Sequence, residues 1–394
     1  MLGILYISYD GILEPLGQSQ VLSYLEKLSI ENRIYLISFE KRSDKGNAIL
    51  YNQVRKRISK TNIQWYPLIY HKNPKVFATL WDVFCAIVLS FWLILRFRLT
   101  VLHARSYIAS LAAIAIKKNT NVKYIFDMRG FWADERVEGG LWPRDGYLFH
   151  VFKRLERAYL LNADVVVSLT NKAVQEMKGF PYLQERMPVF RVIPTCTDLE
   201  VFKLADRRSD NTFILGYVGS VGVWYLFEES LKFFKIIKEF IPDAKLHIIN
   251  KGGHDYIYSY LNKIGIQNHD VIIEDTDHNG VAYSMQTMNA GIFIIKPVYS
   301  KIASMPTKLG EFLGCGVPCI CNTGVGDMAE IIHNTRTGVV LDDFMKSTMK
   351  KGVIDLLKLL KDPDIKDRCR RASVQNFSLE KGVRSYSDIY KSII

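Results

Sequence analysis

The sequence predicts an α/β protein built as two facing parallel-sheet domains with helices on both faces of each. Short apolar runs alternate with helical-period stretches from end to end, the length of 394 residues suits at least two cores, and the alternation breaks once, near 193–198. In the first half the runs at 3–8, 34–39, 64–67, 101–103, 124–127, 165–169 and 189–193 read as strands. In the second half they are 213–218, 245–249, 271–274, 291–295, 318–321 and 338–341. Between them lie periodic stretches such as 19–28, 149–161, 227–240 and 353–360, which supply the covering helices. Ligands of such sheets bind at the carboxyl ends of strands, so the expected site is a cleft between the two sheets.

Composition is that of a globular chain, 48% hydrophobic and 23% charged. Of the net charge of +12, nine units lie in residues 1–200, which hold 27 Lys and Arg against 18 Asp and Glu. Residues 51–100 carry eight basic residues and one acid, Asp82, a block suited to anionic lipid, nucleic acid or a phosphorylated substrate. No nucleic-acid-binding motif surrounds it. The six cysteines, Cys85, Cys196, Cys315, Cys319, Cys321 and Cys369, show no CxxC pair or partner histidine motif, so neither a zinc site nor a disulfide framework is expected. The chain opens directly on an apolar strand without a basic leader, and export is not expected.

The segment 83–95 (VFCAIVLSFWLIL) is uncharged and flanked by Asp82, Arg96 and Arg98. It is short of the roughly twenty apolar residues that span a bilayer, and lengthening it buries Asp82. Two readings remain: a helix inside the first domain, or an interfacial helix with Lys72, Lys75, Arg96 and Arg98 at lipid headgroups.

The most informative stretch is 305–318, MPTKLGEFLGCGVP, which puts Lys308 in the first turn of a helix, where the macrodipole repels a cation. Pro306 suits the first helical position, and Gly314 and Gly316 the stop. A cation together with free amides at a helix start seats a polyanion such as a diphosphate; the plainer reading is an i,i+3 pair of Lys308 with Glu311. After the strand 213–218 comes the Gly-rich turn 219–225, GSVGVWY, a candidate phosphate loop. Asn250 and then Asp275 and Thr276 follow the next two strands, where a nucleotide would be lined from phosphate to base. In the first half, Asp127, Arg129, Asp134, Glu135 and Arg136 crowd the end of the strand 124–127; they could hold a donor, an acceptor hydroxyl or a catalytic carboxylate, or Asp127, Arg129, Asp134 and Arg136 could form a self-satisfied ion network. Gly17 and Gln18 open the first helix, where glycine lets backbone approach a ligand or simply make a turn.

With these motifs the chain resembles the family 4 glycosyltransferases, which have two facing Rossmann-like domains, the GT-B architecture. The stretch 308–318 is similar to the family's donor-binding helix, 193–198 (IPTCTD) to its interdomain signature, 219–225 to its phosphate loop, 324–330 to its GGxxE turn, and 377–390 to a final helix that crosses back to the first domain. The resemblance implies domains at 1–197 and 198–377, with helix 378–394 packing on the first. It implies that Glu311 holds the donor's ribose, and that Asp127, Arg129, Asp134 and Glu135 are catalytic. Donor-binding residues would be Gly219, Ser220, Trp224, Tyr225, Asn250, Asp275, Thr276, Pro306, Thr307, Lys308 and Glu311, with Gly17, Gln18 and Arg105 on the acceptor side. Four positions depart from the family pattern: Ala303 replaces a glutamate, Ser220 and Tyr225 replace an arginine and a lysine, and Arg129 replaces a histidine.

The implied activity is retaining transfer of a sugar from a nucleotide diphosphate to a lipid-linked or surface-glycan acceptor in polysaccharide synthesis. No metal or other cofactor is expected, and the implied location is cytoplasmic, peripheral on the inner face of an anionic membrane. A nucleotide-sugar epimerase and a non-catalytic partner in glycan assembly remain as alternatives.

Overall fold

The computed structural model describes residues 1–204 and 212–393, apart from the Lys75 side chain, and the chain divides into two compact units. Met1–Pro194 with Glu380–Ile394 form the first and Thr195–Leu379 the second, so the boundaries fall at 194/195 and 379/380 rather than 197/198 and 377/378.

The first unit carries a seven-stranded sheet of β1 (Leu2–Ser8), β2 (Asn32–Glu40), β3 (Ile63–Ile69), β4 (Val101–Arg105), β5 (Lys123–Asp127), β6 (Val165–Ser168) and β7 (Val189–Val192), in the order β3-β2-β1-β4-β5-β6-β7. Every pairing is parallel; Ile4 of β1 lies opposite Ile34 on one side and Val101 on the other. The second carries β8 (Ile214–Val218), β9 (Lys245–Ile249), β10 (Val271–Glu274), β11 (Ala290–Ile292), β12 (Cys319–Asn322) and β13 (Gly338–Leu341), in the order β10-β9-β8-β11-β12-β13. Runs such as VLHAR in β4 and ILGYV in β8 are buried along their whole length, as strands covered by helices on both faces require. The strand order reverses direction at β1/β4 and at β8/β11, so the loops after β1 and β8 open into crevices at the carboxyl edges.

The helices that bear on function are α1 (Lys75–Phe97), α2 (Ser106–Asn119), α3 (Trp132–Glu138), α4 (Tyr147–Asn162), α5 (Phe227–Phe240), α6 (Thr307–Gly314) and α7 (Leu379–Ser392). In the second unit, Phe227, Phe233, Phe234 and Ile237 of α5 join Leu215, Leu246, Ile248 and Ile320 in the core. The long apolar helix α1 is half in and half out of the first unit. Its inner face packs on α2 and β1 and carries Asp82, fully buried, which accepts hydrogen bonds from the Tyr9 hydroxyl at 2.9 Å and the His71 N–H at 3.1 Å. Its outer face exposes Phe77, Leu80 with Trp81, Phe84, Val88, Trp92 and Leu95, a stripe that recurs every three or four residues. By length and composition α1 could cross a membrane, but its inner face is part of this core.

The final helix α7 returns to the first unit, as the resemblance implies. Tyr386, Ile389 and Tyr390 are buried there; Lys27–Glu380 and Lys391–Glu31 ion pairs, at 3.2 and 2.8 Å, flank them. The Tyr386 hydroxyl donates to Asp127 Oδ2 at 3.1 Å, and the Tyr390 hydroxyl meets His103 Nδ1 at 2.7 Å. Burial alone would raise the Asp127 pKa, but Arg129, the His103 contact and Arg105 outweigh it and bring it down to about 2. A charged carboxylate thus sits at the bottom of the α7 dock. Tyr386→Phe removes one of its donors and is expected to destabilise the first unit by about 1.5–3 kcal/mol, read from its urea-unfolding transition.

Candidate active site

The densest cluster of predicted residues in the second unit lies at the carboxyl ends of β8 and β9 and the start of α6. Val218 ends β8, and Gly219 takes φ 110°, a backbone region nearly closed to other residues. A Cβ at Gly219 would stand 2.5 Å from Lys308 Nζ, so glycine is required for the lysine to reach this point. The Gly219 N–H donates to the Ile249 carbonyl at 2.8 Å and is therefore not available to a phosphate, contrary to the plain reading of the loop. Its carbonyl accepts from Asn250 Nδ2 at 2.7 Å, and Asn250 Oδ1 is left buried without a partner. Ser220 is exposed, its carbonyl taken by the Tyr217 hydroxyl at 2.8 Å.

Lys308 is 8% exposed, and among the described residues its ammonium has no hydrogen-bond partner. It lies 3.5 Å from the Tyr225 ring centroid and 5.9 Å from that of Tyr217. The i,i+3 pair of Lys308 with Glu311, the plainer reading of this turn, does not form at bonding distance among the described contacts. The two interact through space: burial raises the Glu311 pKa to about 7, and Lys308 pulls it back down. Pro306 is the N-cap of α6 rather than its first residue, at ψ 133°, with Thr307 opening the helix. The Thr195 hydroxyl donates to the Met305 carbonyl at 2.6 Å and fixes the approach to α6. Gly310 allows α6 to lie against Thr197 and Phe377. Trp224, beside Tyr225, faces a lysine that sequence reading missed, Lys301, at 3.7 Å. No local pattern marks Lys301, because only the packing of the Tyr299–Ala303 turn brings it to Trp224.

Asp275 and Thr276 stand one strand further out, after β10. Asp275 is exposed and Thr276 packs against Gly280. The engaged carboxylate there is Glu274, which accepts from Ser284 at 2.8 Å and meets His247 at 2.8 Å.

In the first unit the structure separates the predicted residues into anchors and candidates. Asp127 is 1% exposed; its Oδ2 accepts from Tyr386, Arg105 and Arg129 stand at 3.6 and 3.8 Å, and its Oδ1 makes no hydrogen bond among the described residues. Asp134 is held by Lys153 at 3.0 Å, and Lys153 also binds the buried Glu156, which accepts from the Tyr107 hydroxyl. Asp134 is thus paired through Lys153 of α4, and among the described ion pairs the four-residue network of Asp127, Arg129, Asp134 and Arg136 appears only as Asp127–Arg129 at 3.8 Å. Arg105 is 5% exposed and pairs loosely with Asp10 and Asp127, both at 3.6 Å. Gly17 serves packing, since a Cβ there would fall 1.9 Å from the Gly11 carbonyl. Gln18 donates to Leu13 and accepts from Arg57, so its amide is spent within the protein. The turn after β1 is instead shaped by Glu40, fully buried, whose carboxylate accepts the Ile12 and Leu13 N–H groups at 3.0 and 3.1 Å. Arg129 and Glu135 remain partly exposed at the end of β5. Arg129 has φ 61°, a strained conformation for a non-glycine residue, next to Gly130 at 142°.

Among the described residues, no group of three or more His, Cys, Asp and Glu could hold a metal ion. Residues 202–375, within the second unit, match the family model of glycosyl transferases group 1. Over 100% of this chain the structure is similar to sucrose-phosphate synthase from Thermosynechococcus elongatus, with TM-score 0.70, 14% identity and 99% of that chain covered. It is similar likewise to a glycosyltransferase from Rickettsia africae, with TM-score 0.72, 15% identity, and 100% and 98% of the two chains covered. Anabaena HepE in complex with UDP is matched at TM-score 0.70 and 12% identity, over 100% of both chains. These likenesses show the fold, two Rossmann-like domains of the GT-B type. Among curated proteins, none matches this sequence.

A buried ammonium without a hydrogen-bond acceptor is costly, and a ring face repays only part of that cost. Lys308→Met keeps the length and removes the charge. It is expected to stabilise the second unit by about 1–2 kcal/mol, seen as a raised unfolding midpoint in urea.

Proposed function

We propose, from the premise that residues 202–375 form a group 1 glycosyl transferase domain in a chain with the GT-B fold, that the protein moves a sugar from a nucleotide-diphosphate donor to an acceptor hydroxyl. The acceptor is a lipid-linked or surface glycan, and the anomeric configuration is retained. The observation that carries this reading is the Lys308 ammonium, buried at the start of α6, against Gly219, without a hydrogen-bond partner. A diphosphate supplies what that position lacks: negative charge and several acceptor oxygens. Held there as leaving group, it would be stabilised in the transition state more than in the ground state, because its charge grows as the sugar departs. The reading gives this neutralisation to lysine, not to a metal ion.

Glu311 lies one turn further along α6 and is assigned the donor's ribose hydroxyls, which donate to its carboxylate. Asn250 Oδ1, buried and unpartnered at the next strand end, offers a further acceptor. On the acceptor side, Arg129 and Glu135 are retained as substrate-facing groups, with Asp127 as the anchor beneath Arg129.

The acceptor class points to a membrane surface. The outer face of α1 exposes Phe77, Trp81, Trp92 and Leu95, and the exposed basic residues Lys72, Arg96 and Arg98 lie at its two ends. An apolar stripe with cations at its ends is the pattern of a helix lying in the interface of anionic lipid. The buried Asp82 keeps the other face in the protein, so the attachment is peripheral. We place this contact on the cytoplasmic face of the membrane.

Two outcomes test the reading. With the Glu311 pKa near 7, binding that needs its carboxylate must expel a proton at lower pH. The dissociation constant of the nucleotide, with UDP as first probe, is expected to weaken by up to about tenfold per pH unit below 7 and to stay flat above it. Glu311→Gln is expected to bind more weakly and to lose that slope; calorimetric titration across pH 5.5–8.5 reads both. Trp81→Ser with Trp92→Ser and Leu95→Ser, all exposed, is expected to release the folded protein from vesicles of anionic lipid in a flotation assay; unchanged flotation would remove the membrane contact.

A further inference from the structure

At the carboxyl edge of the first sheet two arginines stand on neighbouring strand ends with too few acceptors. Arg105 ends β4, and Arg129 lies just past the end of β5. Arg105 is buried, and among the described residues its Nε has no hydrogen-bond partner. Its carboxylate neighbours, Asp10 and Asp127, stand at 3.6 Å, too far for a hydrogen bond, while the buried Tyr6 hydroxyl meets the same guanidinium. Arg129 Nη1 lies 3.8 Å from Asp127 Oδ1, an oxygen that is itself without a hydrogen bond among the described residues.

The buried charges here do not cancel. Asp127 stays ionised, its pKa brought down to about 2, and burial holds the neighbouring His103 below the usual imidazole range, hence neutral near pH 7. Two guanidinium groups therefore face one buried carboxylate, whose Oδ2 already accepts from Tyr386; the second carboxylate, Asp10, is exposed.

The backbone is strained where both arginines leave it. Ser106, directly after Arg105, takes φ 70°, and Arg129 takes 61°. Such left-handed conformations persist in non-glycine residues only where the surroundings impose them. Helix α2 begins at Ser106 with no side-chain cap, so its positive end lies at the same edge and favours negative charge there. The strand order reverses at β1/β4, and the loop after β1 is held by Glu40 and by the Ser8 hydroxyl, which donates to the Asp10 carbonyl at 2.9 Å.

A phosphate or carboxylate group supplies the acceptor oxygens that both guanidinium groups lack, and its planar or tetrahedral oxygens suit their forked donors. We propose that Arg105 and Arg129 form an anion seat in the first unit, that the acceptor carries a phosphate or carboxylate near the hydroxyl that takes the sugar, and that this anion displaces Asp10 from Arg105. The proposal rests on the acceptor half of the reading above and narrows it from hydroxyl compounds in general to anionic ones.

The test is calorimetric titration of the full chain saturated with UDP, which fills the donor's seat. The probes are glucose 6-phosphate, glucuronate, dihexanoyl phosphatidate and glucose. At least one of the three anions is expected to bind tenfold or more tighter than glucose, and the one that does so tells a sugar phosphate, a uronate and a lipid phosphate apart. Arg129→Asn removes the charge and keeps a residue that tolerates the left-handed backbone. It is expected to weaken that anion by about tenfold or more and to leave UDP affinity unchanged. Arg105→Lys keeps the charge but loses the fork, and is expected to weaken the anion likewise. Asp10→Asn, at an exposed position, is expected to tighten it several-fold by removing a competing carboxylate. The seat is overturned if no anion binds better than glucose, if folded Arg129→Asn binds it as the wild type does or weakens UDP instead, or if Asp10→Asn weakens it. Those results leave the donor reading standing, since UDP binding is measured separately. If the wild type binds no UDP the donor reading falls, and titration of the anions without UDP still decides the seat.

Discussion

Parallel pairing decides where chemistry can happen in this protein. In both sheets the strands spend their N–H and C=O groups on neighbours and are covered by helices, so their middles offer nothing to a ligand. Several polar side chains gather where strands end: Lys301 and Lys308 lie in the connection after β11, whereas Asp82 and Glu156 are buried on helices. Arg105 and Asp127 are the last residues of neighbouring strands, and Gly219 and Asn250 each follow one directly.

In the first unit Lys153 pairs with Asp134 and Glu156, and Asp82 binds Tyr9 and His71, while Asp127 lies 3.6 and 3.8 Å from Arg105 and Arg129 with its Oδ1 short of a hydrogen bond among the described residues. Such pairing fixes geometry, and here much of it fixes the docking of α7. In the second unit, Lys308 is buried with a ring face in place of an acceptor, and Glu311 nearby is held near neutrality. Matched charges hold a fold together; a charge left short of acceptors costs stability and is retained where something else completes it.

Helix α1 shows the same division at a surface. A single buried carboxylate, Asp82, ties one face into the core, while the opposite face exposes tryptophan, phenylalanine and leucine on one stripe. Neither a core helix nor a spanning helix needs both features. The proposed contact with lipid uses both, one side belonging to the protein and the other to the membrane surface.

By itself the sequence determined the fold class, the thirteen strands of the described residues to within a few residues, and the prominence of Lys308, while the return of the last helix was implied by the family resemblance. The first three follow from local information: hydrophobic period, glycine and proline punctuation, and a cation at a helix start. Tertiary structure alone decided which polar residues are free. Asp127, Asp134, Gln18 and Gly17 look available in sequence, yet their partners Tyr386, Lys153, Arg57 and Gly11 lie up to 259 positions away and bind them within the protein. Lys301 looks ordinary in sequence and is brought under Trp224 only by the packing of two loops. Period and punctuation act over a few residues, whereas satisfaction of a buried polar group depends on neighbours that only the folded chain supplies.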